Sequence, residues 1–171
     1  MTHSAAIATE RLGLPFVVLR RPAWEANSGD NWHWADTIGD VPALLPVLGE
    51  RVFLTTGRME IAVFAESDLW FLVRSVDPPE PPMPAKTHVI LDRGPFTVDG
   101  ERALLREHRI DVLVTKNSGG QLTAAKLEAA RELVLPVVVV RRPPLPTVTT
   151  VDSEQEAVTW LGKVIQDSGE A

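Results

Sequence analysis

The chain holds 171 residues, enough to bury one full core and short of what two independent domains ordinarily need. Hydrophobic residues make up 44% and charged residues 23%, an ordinary globular balance, and a formal net charge of -6 disfavours general nucleic-acid binding, which draws on Lys and Arg against phosphate. Cysteine is absent, which excludes disulfides and thiolate chemistry; no apolar run reaches membrane-spanning length and the first ten residues carry no signal-peptide pattern, so a cytoplasmic protein with neither a membrane nor a nucleic-acid partner is expected.

From the amino end, residues 10–22 (ERLGLPFVVLRRP) combine a helix end, a Leu-Pro entry, an apolar strand at 16–19 and Arg-Arg-Pro. Residues 24–34 then form a polar-aromatic loop with three tryptophans, His33 and Gly29. Such a loop either lines a site for a large flat ligand or packs over a sheet edge. Further strands are predicted at 52–54, 69–73, 88–91, 111–114 and 137–140. They are short and continuously apolar, as strands buried on both faces of a parallel sheet are. Residues 77–84 (DPPEPPMP) can neither be helical nor donate to a sheet ladder, and read as a stiff spacer.

Helical patterns alternate with these strands. Residues 100–109 turn Leu104 and Leu105 inward, and residues 122–133 put Leu122, Ala125, Ala129 and Leu133 on one face. Residues 153–165 open with Asp152 or Ser153 as N-cap and Glu156 placed for a capping box. The β-α-β-α order predicts an α/β fold, a doubly wound parallel sheet. One internal repeat stands out. Residues 131–143 (RELVLPVVVVRRP) match residues 10–22 at eight of thirteen positions. Two similar helix-strand units suggest a duplicated architecture. The second copy follows a long strand-loop-helix and the first follows nine residues. The expectation is therefore a complete domain over 51–171, preceded over 1–50 by the remnant of a similar one.

Two strand-to-helix loops carry the chemistry. One is Thr55, Thr56, Gly57 and Arg58; the other is Lys116, Asn117, Ser118, Gly119 and Gly120. In open parallel sheets ligands bind beyond the carboxyl ends of the strands, where both loops fall. Glycines let backbone N–H groups approach an anion, Arg58 and Lys116 add positive charge, and the hydroxyls and amide orient hydrogen bonds. The loops predict a site for a polar, anionic molecule, although any strand-to-helix turn favours such residues. Neither loop is a Walker A motif, and G-x-G-x-x-G and G-x-S-x-G are absent. The four histidines, His3, His33, His88 and His108, lack ligand spacing, so no metal site is expected, and His108 is read as a helix cap. Arginines follow the apolar runs at Arg20, Arg21, Arg58, Arg74, Arg93, Arg141 and Arg142. Singly they are solvated strand ends; together they suit an anionic ligand.

The segments RVFLTTGR, DLWFLVRSVDPPEP, ILDRGPFTVDGERALLREHRIDVLVTKNSGG and TAAKLEAARELVLPVVVVRRP, in that order, resemble the precorrin-6A reductases of cobalamin biosynthesis over residues 4–160. The resemblance implies two Rossmann-like domains with NADPH in the cleft between them. It also implies reduction of one double bond of precorrin-6A, an anionic tetrapyrrole, to precorrin-6B. Members of that family begin with a Gly-rich strand-turn of the L-G-G-T-x-E kind and later carry A-T-H-P. This chain has neither, so it is expected to be an N-terminally truncated member with impaired activity alone. Hydride transfer belongs to the cofactor, and no side chain is singled out as catalytic. The alternative is a non-catalytic α/β domain that binds an anionic nucleotide or metabolite.

Overall fold

The computed structural model describes residues 2–169. In chain order its elements are α1 (Thr2–Arg11), β1 (Val17–Leu19), β2 (Asn31–Ala35), α2 (Val41–Leu44), β3 (Arg51–Leu54), β4 (Trp70–Ser75), β5 (Thr87–Leu91), α3 (Val98–Glu107), β6 (Val112–Lys116), α4 (Ala125–Glu132), β7 (Pro136–Val140), β8 (Thr149–Val151) and α5 (Glu154–Gly169). Short 3-10 turns add to these, notably Arg58–Phe64 after β3 and Gln121–Thr123 before α4. The chain divides into two compact units, Ala23–Arg142 and Met1–Pro22 with Pro143–Ala171. Among the described residues no helix is long and apolar enough to cross a membrane.

The larger unit is a six-stranded sheet in the order β2-β7-β6-β3-β4-β5, with every pairing parallel. The predicted α/β parallel architecture is present. The interior strands are those that read as unbroken apolar runs: Val52, Phe53, Phe71, Leu72, Val112, Leu113 and Val138 are at most 0% exposed. Alternate residues feed two cores. Val52, Leu54, Phe71, Val73 and Val114 face one that also takes Val41, Leu45, Ile61 and Phe64. Phe53, Leu72, Leu113 and Val139 face the other with Leu105, Leu127 and Ala130 from α3 and α4. The sheet is thus covered on both faces, as its sequence requires. The side chain of Leu122, expected on the inner face of a helix, lies outside those described; that helix begins at Ala125 after the 3-10 turn.

The expected boundary between residues 50 and 51 does not hold. The loop expected over residues 24–34 stops short of its end: Asn31–Ala35 form edge strand β2, paired with β7. Residues 143–169, expected in the same domain as residue 51 onward, belong with the amino-terminal residues instead, because β8 pairs with β1. The expected N-cap of the last helix is present. Ser153 Oγ accepts from the Glu156 N–H at 3.2 Å, and the Glu156 carboxylate accepts from the Asp152 N–H at 2.9 Å.

The smaller unit holds α1, β1, β8 and α5, with the two strands in a parallel pair. The repeat is repeated in conformation. After α1, the Leu14 N–H donates to Thr9 C=O at 2.9 Å and the Gly13 N–H to Glu10 C=O at 3.2 Å. After α4, the Leu135 N–H donates to Ala130 C=O at 2.9 Å and the Val134 N–H to Arg131 C=O at 3.0 Å. Both helices end in the same Schellman-type turn, with Gly13 at φ 64° and Val134 at φ 56°. Glycine takes that conformation freely; a β-branched residue does so under strain.

The β3-β6 pair, which carries both predicted loops, is locked at its amino end. The Asp111 carboxylate accepts from the backbone N–H groups of Glu50 and Arg51 at 3.0 and 2.9 Å. Gly49 permits this approach, since a Cβ there would lie 2.3 Å from Asp111 Cβ. The Arg51 guanidinium donates to His108 C=O at 2.7 Å and lies 3.7 Å over the Trp70 ring. His108 is the C-cap of α3, as expected, and its ring also stacks on Trp70.

Candidate functional site

The chain after β3 enters the core on one face of the sheet through Ile61 and Phe64, while α4, after β6, packs on the other through Leu127, Ala129 and Ala130. β3 and β6 are neighbours, so their connections diverge beyond their carboxyl ends. This is a topological switch point, the place where open α/β sheets bind ligands. The structure sets residues 55–58 and 117–120 on its two sides. The strand register continues into them: Leu54 pairs with Val114, and the Thr55 N–H and Oγ1–H both donate to Val114 C=O at 3.0 Å.

On the face of Ile61 and Phe64 stand Thr56, Lys116 and a residue the sequence reading passed over, Glu60. Lys116 Nζ is 2.6 Å from Glu60 Oε1. The other carboxylate oxygen of Glu60 is buried without a hydrogen-bond partner, and so is Oγ1 of Thr56, a residue 8% exposed. Gly57 precedes the 3-10 turn at φ 98°, and nothing lies within 4 Å of the position a Cβ would take, so its backbone faces open space. Arg58 is half-exposed, with one guanidinium nitrogen 3.7 Å from the Asp77 carboxylate beyond β4. Glu60 lies in a segment without a motif, and a carboxylate is the opposite of what an anion site leads one to seek.

On the other face the second loop is held from beneath. Asn117, expected to orient a ligand, is buried and already engaged. Its Oδ1 accepts from the Trp24 N–H at 2.8 Å and its Nδ2 donates to Trp24 C=O at 3.0 Å, so it pairs with Trp24 as a neighbouring strand would. The Asn117 carbonyl accepts from the Arg142 guanidinium. Trp24 Nε1–H donates to Gly120 C=O at 2.9 Å, which ties the loop at φ-positive Gly119 and Gly120 to the segment before β2. Asn117 therefore shapes the loop, whereas Ser118 is exposed with its Oγ 3.4 Å from Lys116 C=O.

Buried charges lie below this loop. Arg74 was read as a strand-end cation, but it sits inside β4, buried and paired bidentately with Glu101 of α3 at 2.5 and 3.2 Å. Its guanidinium also lies 3.7 Å over the Phe96 ring. Lys126 of α4 donates to Thr123 C=O at 2.9 Å and sits 5.1 Å over the Trp24 ring. Burial, reinforced by Arg74 and opposed by Glu101, pushes its ammonium down to about 8. The other two tryptophans of residues 24–34 lie on the edge strand: Trp32 and Trp34 meet edge to face at 5.6 Å, Trp32 against the second core and Trp34 under the Arg141 guanidinium. Of the two readings of residues 24–34, packing over the sheet edge describes what these rings do.

The family model "Precorrin-6x reductase CbiJ/CobK" matches residues 1–162. The chain is 54% identical over 164 residues to a precorrin-6A reductase of Rhodococcus erythropolis, covering 95% of this chain and 66% of that one. A precorrin-6A reductase of Mycobacterium tuberculosis is 46% identical, with 93% and 65% covered. A solved structure, "CobK precorrin-6A reductase", superposes with a TM-score of 0.90 at 35% identity over 95% of this chain and 68% of that one. The chain thus spans about two thirds of the length of the relatives it matches.

Proposed function

This chain belongs to the precorrin-6x reductase CbiJ/CobK family, and we propose on that premise that it serves the NADPH-dependent reduction of precorrin-6A to precorrin-6B, in the cytoplasm. The observation that carries the reading is the pairing of residues 55–58 with 116–120 across the switch point. The fit to an anionic ligand is local: Gly57 leaves its backbone open, Lys116 and Arg58 bring positive charge, and the Thr56 hydroxyl is buried but unpaired. NADPH supplies a hydride to a carbon-carbon double bond when bound. The chain's own residues hold the anionic groups of cofactor and substrate by charge-assisted bonds and keep the loops in shape through Asn117, Trp24 and Lys126. That the smaller unit belongs to a second Rossmann-like domain is part of the same reading. It is supported by the α1-β1 turn, which repeats the hydrogen bonds of the α4-β7 turn.

The test is direct titration of NADPH and of precorrin-6A into the chain, with Trp24 beside Gly120 as the fluorescent reporter. Lys116→Ala is expected to weaken binding of at least one of them about tenfold, the loss of one charge-assisted bond, with little change in melting temperature. Absence of binding by both ligands, or binding indifferent to Lys116, would overturn the assignment.

A further inference from the structure

Strand β5 ends the order β2-β7-β6-β3-β4-β5 and pairs with β4 alone. Its backbone directions follow from the two bonds that bracket it. The Phe71 N–H donates to Lys86 C=O at 2.8 Å, and the Asp92 N–H donates to Ser75 C=O at 3.0 Å. Residues 86, 88, 90 and 92 therefore turn their backbone groups toward β4. Directions alternate along a strand, so the N–H and C=O groups of Thr87, Val89 and Leu91 point away from the sheet. Proteins blunt such an edge with a charge, a proline or a bulge. The five residues of β5 hold no proline and no Asp, Glu, Lys or Arg, their register with β4 is unbroken, and Leu91 is 54% exposed.

The charges stand just outside, Lys86 before the strand and Asp92 after it. Neither has an ion-pair partner among the described residues: Lys86 Nζ donates to Asp68 C=O at 2.9 Å, and Asp92 Oδ1 accepts from the Arg93 N–H at 2.7 Å. Opposite signs at the two ends select a partner. An antiparallel copy centred on Val89 sets Lys86 opposite Asp92 at both ends. The same register pairs Val89 with itself and Thr87 with Leu91, so every outward residue falls in a hydrogen-bonded pair. A slip of two residues either way breaks both charge pairs. The other sheet edge offers less, because the Arg141 N–H donates to Ala35 C=O and β2 turns only Trp32 and Trp34 outward.

We propose that the β5 edge is a self-recognition surface, on which two copies of the chain join antiparallel across a two-fold axis at Val89, with Lys86 of each against Asp92 of the other. Sedimentation velocity of the full chain, from micromolar to millimolar concentration, tests it, and a concentration-dependent dimer is expected. Lys86→Glu and Asp92→Lys each set like charges opposite one another twice per dimer, and each should raise the dissociation constant about tenfold. Combined, they exchange the charges and should restore the wild-type constant. Val89→Pro removes an outward N–H that the pairing with β4 does not use, so it should abolish the dimer and leave the fold intact by circular dichroism. If that variant does not fold, the charge series decides. A monomer at every concentration would overturn the proposal, as would a folded Val89→Pro variant that still dimerises. A dimer indifferent to the single reversals would place the contact elsewhere. Failure of the combined variant to recover would exclude this two-fold register.

Discussion

Lys126→Met keeps the length of a buried side chain and removes its charge, and so tests how the second loop is supported. The ammonium of Lys126 lies under Trp24, donates to Thr123 C=O and is flanked by Arg74 and Glu101. Burial first, and Arg74 second, bring its pKa from 10.5 to about 8 against the pull of Glu101. A lysine whose folded pKa is lowered binds its proton more tightly in the unfolded chain. Between pH 8 and 10.5 the unfolded chain therefore holds more protons, and stability rises with pH across that window. The difference amounts to roughly 3 kcal/mol, with the steepest rise around pH 9. Below the window the full penalty is present, so at neutral pH the Met variant is expected to be the more stable by roughly 1–3 kcal/mol. It gains less than the full amount because the bond to Thr123 and the contact with Trp24 are given up. Urea unfolding of both proteins at half-unit pH steps measures this directly. The gap between them should shift toward the wild type by roughly 3 kcal/mol as pH rises through the window. Parallel stability curves would show that Lys126 keeps an ordinary pKa and that the buried-charge account of this region is wrong.

Glu101→Gln should be among the more damaging single changes, because it leaves Arg74 buried beside Phe96 without its carboxylate. A loss of about 3–5 kcal/mol is expected in denaturant unfolding, and a change below ~1 kcal/mol would mean the pair is effectively solvated. Val134→Gly should stabilise the chain by about 1 kcal/mol, because a β-branched residue at φ 56° is replaced by the residue its repeat counterpart Gly13 already is. Val134 is 75% exposed, so little packing is lost; an unchanged or lower melting temperature would show that the turn is not strained.

Much of this architecture was legible in the sequence, and the reason is the parallel sheet itself. Strands β3, β4, β6 and β7 are buried on both faces, so each had to be an unbroken apolar run, and each could be found by that alone. The loops at 55–58 and 116–120 follow such runs, and their glycines, hydroxyls and cations marked them as strand-end turns. The repeat at 10–22 and 131–143 announced two like helix-strand turns, and the motifs at the strand ends pointed to the family. Edge strand β2 escaped because an edge need not be apolar: Asn31, Trp32 and His33 become a strand only by pairing with Pro136, Val137 and Val138, more than a hundred residues away. The pairing of β1 with β8, which draws residues 143–169 to the amino-terminal segment, is likewise a contact between distant parts of the chain. The site was altered in the same way. Local pattern offered Asn117 to a ligand, but Trp24, 93 residues distant, takes both ends of its amide. Arg74 looked like a free cation until Glu101 arrived from helix α3, and Glu60 had no signature until folding set it against Lys116. Burial pattern and turn chemistry are properties of neighbouring residues and are written in order along the chain. Which polar groups satisfy one another depends on what folding brings together, and that is decided in three dimensions.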